Sequence, residues 1–226
     1  MPSPVTAPDA PTSLIAAAER LFACRGIDGV SLREINREAG QRNTTSLQYH
    51  FGDRGGLLRA IMVKHGQEID AVRHGLLDDY ELSGEPDIRQ LASAFVLPLV
   101  GKLHDPCGRN YLRIAAEVVN RDNREIEPGD PSILADPKGR DPRDSITRWG
   151  RLVGPLLPPL VVGPPLHRRY AAMRFAHIEL GRRANESHRT DALFTSHLVD
   201  LFTSILFTPL SSETAALVEA RRRRRR

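Results

Sequence analysis

An all-α fold follows from three features of the 226-residue sequence. Apolar residues recur at helical spacing in segment after segment. Several segments open on residues that cap helix N-termini. Most of them stop at glycine or proline. These marks divide the chain into a short proline-rich arm (1–11), a small helical unit (12–58), a larger helical unit (59–210) and an arginine-rich tail (211–226).

The arm holds prolines 2, 4, 8 and 11 and little that could be buried, so it is expected to be disordered. Leu14, Ala17, Ala18, Leu21 and Phe22 form the apolar stripe of the first helix. Asp9 or Thr12 is placed to cap it, and Gly26 to end it. Ser31-Leu32-Arg33-Glu34 is a capping box that starts a second helix. Leu32, Ile35 and Ala39 turn inward there, Arg33 and Arg37 outward, and Gly40 stops it. Gln41-Arg42-Asn43 reads as a turn, with Asn43 as N-cap of a third helix from Thr44 to about His50. Leu47 and Phe51, four apart, anchor that helix, and Asp53 caps the next.

That next helix carries Leu57, Leu58, Ile61, Met62, Ile69 and Val72 and is expected to run to about Leu77. Further helices are expected from Asp87 to about His104, with a kink at Pro98, and around Tyr111–Val119. Residues 122–142 lack periodicity and carry four prolines, the composition of a long surface loop. A helix from Asp144 to about Leu157 and a stiff proline-rich connector follow. The last two helices, Leu166 to about Asn185 and Ala192 to about Phe207, offer more apolar surface than one monomer core needs. Ala171, Ala172, Ala176 and Gly181 allow close approach.

Hydrophobic content of 40% and charged content of 27% are those of an ordinary soluble protein. No apolar run reaches the roughly 18–20 residues that span a bilayer, and the N-terminus has no secretory pattern. A cytoplasmic protein without membrane contact is expected, with Cys24 and Cys107 reduced. Six of the 32 basic residues form the run 221–226, which turns a formal net charge of +4 into −2 for the rest. The body is therefore slightly acidic, and the tail reads as a disordered, solvated charge block.

The third helix has a polar outer face. Its open N-terminal turn could meet a phosphate. Thr44, Thr45 and Gln48 can bond to base edges, while Tyr49 and His50 can donate to phosphates. From these residues alone, a DNA-reading helix and a helix pair with a merely polar face both stand. Residues 12–60, however, resemble the DNA-binding domain of TetR-family transcriptional regulators. The match runs through Phe22-Ala23 and Gly26, Val30-Ser31-Leu32-Arg33-Glu34-Ile35, Ala39-Gly40, Leu47, Tyr49-His50-Phe51 and Leu57-Leu58. It departs in a turn one residue longer at Gln41–Thr44, in Thr45-Ser46 for the usual glycine-threonine, and in Arg54 for the usual lysine.

The resemblance implies a helix-turn-helix domain over 12–58, with Ser31, Arg33, Arg42, Asn43, Thr44, Thr45, Gln48, Tyr49, His50 and Arg54 facing double-stranded operator DNA. It also implies a homodimer through the last two helices, and a repressor that answers to a small molecule. Pockets between bundle helices are mostly apolar. Phe95, Leu99, Tyr111, Ile114, Trp149, Leu152, Met173 and His177 are candidates to line one for a largely apolar effector, or else are core. A ligand-independent regulator or activator, or a helical enzyme or carrier without DNA binding, are the other readings. No catalytic motif appears, none of the eight histidines sits at metal-ligand spacing with cysteine or carboxylate, and no cofactor or metal is expected.

Overall fold

The computed structural model describes residues 9–41, 43, 45–84, 87–121, 144–186 and 192–224. The arm up to residue 8, Arg42, Thr44, the expected loop 122–142 and the final two arginines lie outside them. Ten α-helices are described: α1 (Ala10–Arg25), α2 (Leu32–Glu38), α3 (Ser46–Phe51), α4 (Arg54–Ser83), α5 (Ile88–Gly101), α6 (Pro106–Asn120), α7 (Ser145–Val153), α8 (Arg168–Asn185), α9 (Ala192–Phe207) and α10 (Ser212–Arg223). Among the described residues there is no strand.

Two apolar cores organise the helices. The N-terminal one gathers Leu14, Ala17, Ala18 and Phe22 of α1 with Ile27, Val30, Ile35, Leu47, Leu57, Leu58 and Ile61. It also takes in Ile114 and Val118, which arrive from α6 about fifty residues later. The second core joins the rest of α4 to α5 through α9. α4 is common to both. Its 30 residues at about 1.5 Å each make a rod of roughly 45 Å, and the left-handed Gly84 ends it.

Several boundaries differ from the sequence expectation. Of the two caps the sequence offers for α1, Asp9 is the one used: it accepts a hydrogen bond from the Thr12 amide, so the helix begins at Ala10, inside the expected arm, with Pro11 in its first turn. α4 runs six residues beyond Leu77. Asp105-Pro106 opens α6 rather than merely closing α5, with Asp105 accepting from the Gly108 amide. The tail is not disordered over 212–223. Ser211 caps α10 by accepting from Thr214. Alanine, leucine, glutamate and arginine, all strong helix formers, fill its turns, and Val218 is buried.

Small residues of α8 also serve a contact within the chain. Ala172, Ala176 and Gly181 are buried, and a Cβ at Gly181 would lie 2.4 Å from Ala116 Cβ of α6. Gly181 sets the close approach of α8 to α6 within the chain.

Candidate nucleic-acid interface

α2 forms where the capping box directs it. The Glu34 amide donates to Ser31 Oγ at 3.2 Å, and the Ser31 amide donates to Glu34 Oε2 at 2.8 Å. Arg25 Nη1 donates to Glu34 Oε1 at 2.9 Å. The Ser31 amide first, then its hydroxyl and Arg25, hold the Glu34 carboxyl down at about 2. Ile35 is buried, whereas Arg33 and Arg37 are exposed.

α3 is short and firmly seated. Leu47 is fully buried and Phe51 packs against the same core; burying a leucine contributes roughly 1.5–3 kcal/mol. Gly52, at φ +74°, turns the chain out of α3. A Cβ at Gly56 would lie 1.9 Å from the Phe51 carbonyl oxygen, so the first turn of α4 needs glycine there to sit this close. Gln48, Tyr49 and His50 point to solvent, Tyr49 being 85% exposed. The Tyr49 and His50 rings meet edge-on at 5.0 Å.

Four details differ here from the sequence expectation. The helix starts at Ser46, not Thr44. Asn43 Oδ1 takes the Thr45 amide (2.9 Å) and hydroxyl (2.7 Å), which closes a tight turn just ahead of the helix instead of capping it. Arg54 is drawn away from the outer face: its guanidinium donates to the carbonyls of Ile27 (2.9 Å) and Val30 (2.8 Å) and pairs with Asp28 (3.3 Å). It buttresses the α1–α2 connection. The Ser31 hydroxyl is likewise engaged by Glu34. Gln48, Tyr49, His50, Thr45 and Arg33 are exposed around α2 and α3, whereas Arg42 and Thr44 lie outside the described residues.

The candidate ligand residues do not gather around one space. Ile114 belongs to the N-terminal core. Tyr111 stacks on His65, ring centroids 4.5 Å apart, and burial pushes its hydroxyl up to about 12. Phe95 stacks on Phe202 at 4.8 Å and meets Trp149 at 5.1 Å. Trp149 Nε1 donates to the Leu91 carbonyl at 2.8 Å. His177 Nδ1 lies 2.8 Å from the Met173 carbonyl, and burial lowers its pKa. Leu99 is buried, with Leu152 and Met173 packed at the edge of the same core. A cavity of about 550 Å³ lies elsewhere, lined by Leu166, Arg168, Ala171, Ser204, Ile205 and Thr208, with Leu210 and Thr214 beside them.

Residues 14–61 match the model of the bacterial regulatory proteins, tetR family. The chain carries the TetR-family DNA-binding domain. The fold of the whole chain agrees. A tetR-family regulatory protein from Rhodococcus RHA1 superposes with a TM-score of 0.57 at 17% identity, covering 90% of this chain and 100% of that one. A tetR-family transcription regulator from Shewanella sp. PV-4 gives 0.52 at 20%, with 89% and 100% covered. No curated protein sequence matches. TetR-family regulators are DNA-binding proteins and not enzymes. Among the described residues no single helix is long and apolar enough to cross a membrane.

Two groups of functional interest escaped the sequence reading. Glu117 of α6 accepts the Ile27 amide (3.0 and 3.1 Å), and Arg121 bridges Glu117 and Asp28, so α6 holds the loop between α1 and α2. Glu19, His65 and Cys107 also come together at the junction of α1, α4 and α6, although no metal-ligand spacing along the sequence marks them. His65 had a legible signal, since it continues the apolar stripe of Ile61, Met62 and Ile69. Cys107, in the first turn of α6, had none.

Proposed function

We propose that this TetR-family chain is a homodimeric repressor that binds a palindromic operator and is released by a small, largely apolar effector. The observation that carries the DNA reading is the division of α3. Leu47 and Phe51 lock one side into the core, and Gln48, Tyr49 and His50 stand clear on the other. Thr45 and Arg33 flank them, and Arg54 supports the platform from behind. Because the body is slightly acidic, affinity has to come from local contacts doubled by a dimer, with half-sites about 34–36 Å apart or a multiple of that. Ile178, Leu193 and Leu201 are exposed apolar residues on α8 and α9, which supports pairing through those helices.

A palindromic fragment from the gene's own upstream region tests this. Affinity should fall steeply with salt. Gln48→Ala should change preference among bases, and Tyr49→Phe should weaken all sequences alike. If neither substitution alters binding, α3 is not the recognition helix. Leu193→Glu with Leu201→Glu should give a monomer in sedimentation; an intact dimer would place the interface elsewhere.

One observation favours a second reading, a regulator without an effector. The residues expected to line a pocket fill one another's space instead, with Phe95, Trp149 and Phe202 in mutual contact. The cavity of about 550 Å³ beside α8, α9 and α10 is nevertheless of ligand size. Filling it by Ala171→Trp separates the readings. A ligand-responsive repressor loses induction in a reporter strain, and an effector-free one is unchanged.

A further inference from the structure

We propose that Glu19, His65 and Cys107 form a binding site for a divalent transition-metal ion, zinc above all, which clamps the N-terminal helices onto α6. The three side chains come from α1, α4 and α6, so an ion held by them would cross-link three elements that the sequence keeps far apart.

The geometry is close to that of a ligand set. Glu19 Oε1 lies 2.9 Å from His65 Nε2, Cys107 Sγ lies 3.0 Å from Glu19 Oε2, and Sγ lies 3.8 Å from Nε2. A tetrahedral zinc with bonds of about 2.0–2.3 Å needs donor atoms roughly 3.3–3.6 Å apart; the His65–Cys107 separation meets that within about 0.3 Å, Glu19 sets one oxygen beside each of the other two donors, and one ligand atom from each residue lies within 4.8 Å of the others. Carboxylate, imidazole and thiolate are also the donors zinc takes. A fourth position remains for water, as three protein ligands usually leave it. The site is built: Glu19 and His65 are each 2% exposed, Cys107 is half-buried, and His65 is held flat against the Tyr111 ring.

The site already gathers positive charge. Lys64 Nζ donates to both Glu19 oxygens (3.0 and 2.9 Å) and to Cys107 Sγ (3.3 Å). That ammonium is the competitor an incoming ion must displace. Its side chain is 39% exposed, and a flexible four-carbon stem lets it swing to solvent. When the metal–sulfur bond forms, the Cys107 thiol loses its proton to solvent and the ion exchanges waters for protein donors. Glu19 and thiolate then balance the two charges of the ion.

Cobalt titration of the full-length, metal-free, reduced protein tests the proposal without DNA, so its failure is distinct from failure of the DNA reading. A Cys24→Ser background removes the exposed second thiol. One equivalent of cobalt(II) should produce a thiolate-to-cobalt charge-transfer band and the visible bands of a four-coordinate ion, and zinc should abolish both. Cys107→Ser, nearly isosteric, should lose the charge-transfer band and weaken binding by more than the roughly 10–100-fold that follows loss of an outer-sphere partner. Lys64→Met should tighten it. Helical circular dichroism confirms that each variant is folded. No band at saturating cobalt, or a band that survives Cys107→Ser, overturns the assignment.

Discussion

The face of α3 and the aromatic centre between α5, α7 and α9 are opposite solutions to placing side chains. In α3 one residue is buried and another half-buried so that three can be left uncovered. In the centre, Phe95, Trp149 and Phe202 are buried against each other, His177 meets the Phe95 ring edge-on, and Arg73 lies over the Phe95 ring at 5.3 Å. The first region spends little stability to keep a surface available. The second is a source of stability and leaves no side chain uncommitted. Substitutions should therefore separate the two: large losses of stability at the centre, and at α3 losses of binding with the fold intact.

Phe95→Ala should have the largest effect, about 3–5 kcal/mol in chemical denaturation, since it removes a ring with partners on every side. A loss below about 1 kcal/mol would mean that the centre is loosely filled after all. Gly181→Ala comes next. The new methyl meets Ala116 at 2.4 Å, and overpacking of this kind costs about 1–3 kcal/mol. Thermal unfolding measures it, and an unchanged midpoint would show that α6 and α8 can move apart.

Ser31→Ala should cost about 1 kcal/mol through the lost cap of α2. The same box gives an acid signature. The Glu34 carboxyl titrates at about 2, below its ordinary 4.5. Its contribution is complete above pH 4.5 and disappears as pH falls toward 2. Wild type should lose α2 helicity over that window by NMR, and Glu34→Gln should flatten the dependence. Tyr49→Phe should change stability least, within about 0.5 kcal/mol, while operator affinity falls. Loss of both together would show that Tyr49 supports the fold and does not merely face outward.

The same contrast explains what could be read in advance. The N-terminal helices are marked by local chemistry: a serine and a glutamate three apart, glycines at positive φ, and Leu47 four before Phe51. Each signal acts within a turn or two, so the sequence displays it directly. The buttressing role of Arg54 has no such local sign, because its acceptors, the carbonyls of Ile27 and Val30, are backbone atoms of a loop more than twenty residues away. The partners of Ile114 are hidden for a similar reason. Its spacing on α6 says that it is buried, but not against which neighbour. The α10 helix was hidden by six arginines that read as a charge block, although the alanines and leucine before them favour a helix. The Glu19–His65–Cys107 cluster depends on three elements meeting and has no signature along the chain.

The insertion of Ile114 and Val118 into the N-terminal core has a practical meaning for anyone cutting this gene. A fragment ending at Ser83 contains every residue of the helix-turn-helix, yet it lacks two apolar plugs and the Glu117 carboxylate that accepts the Ile27 amide. It would present an open apolar slot beside Phe22 and a bare amide at the loop before α2. Domain-swap chimeras of this protein should therefore carry α6 along with the reading head, or graft its Ile114–Glu117–Val118 face onto the recipient.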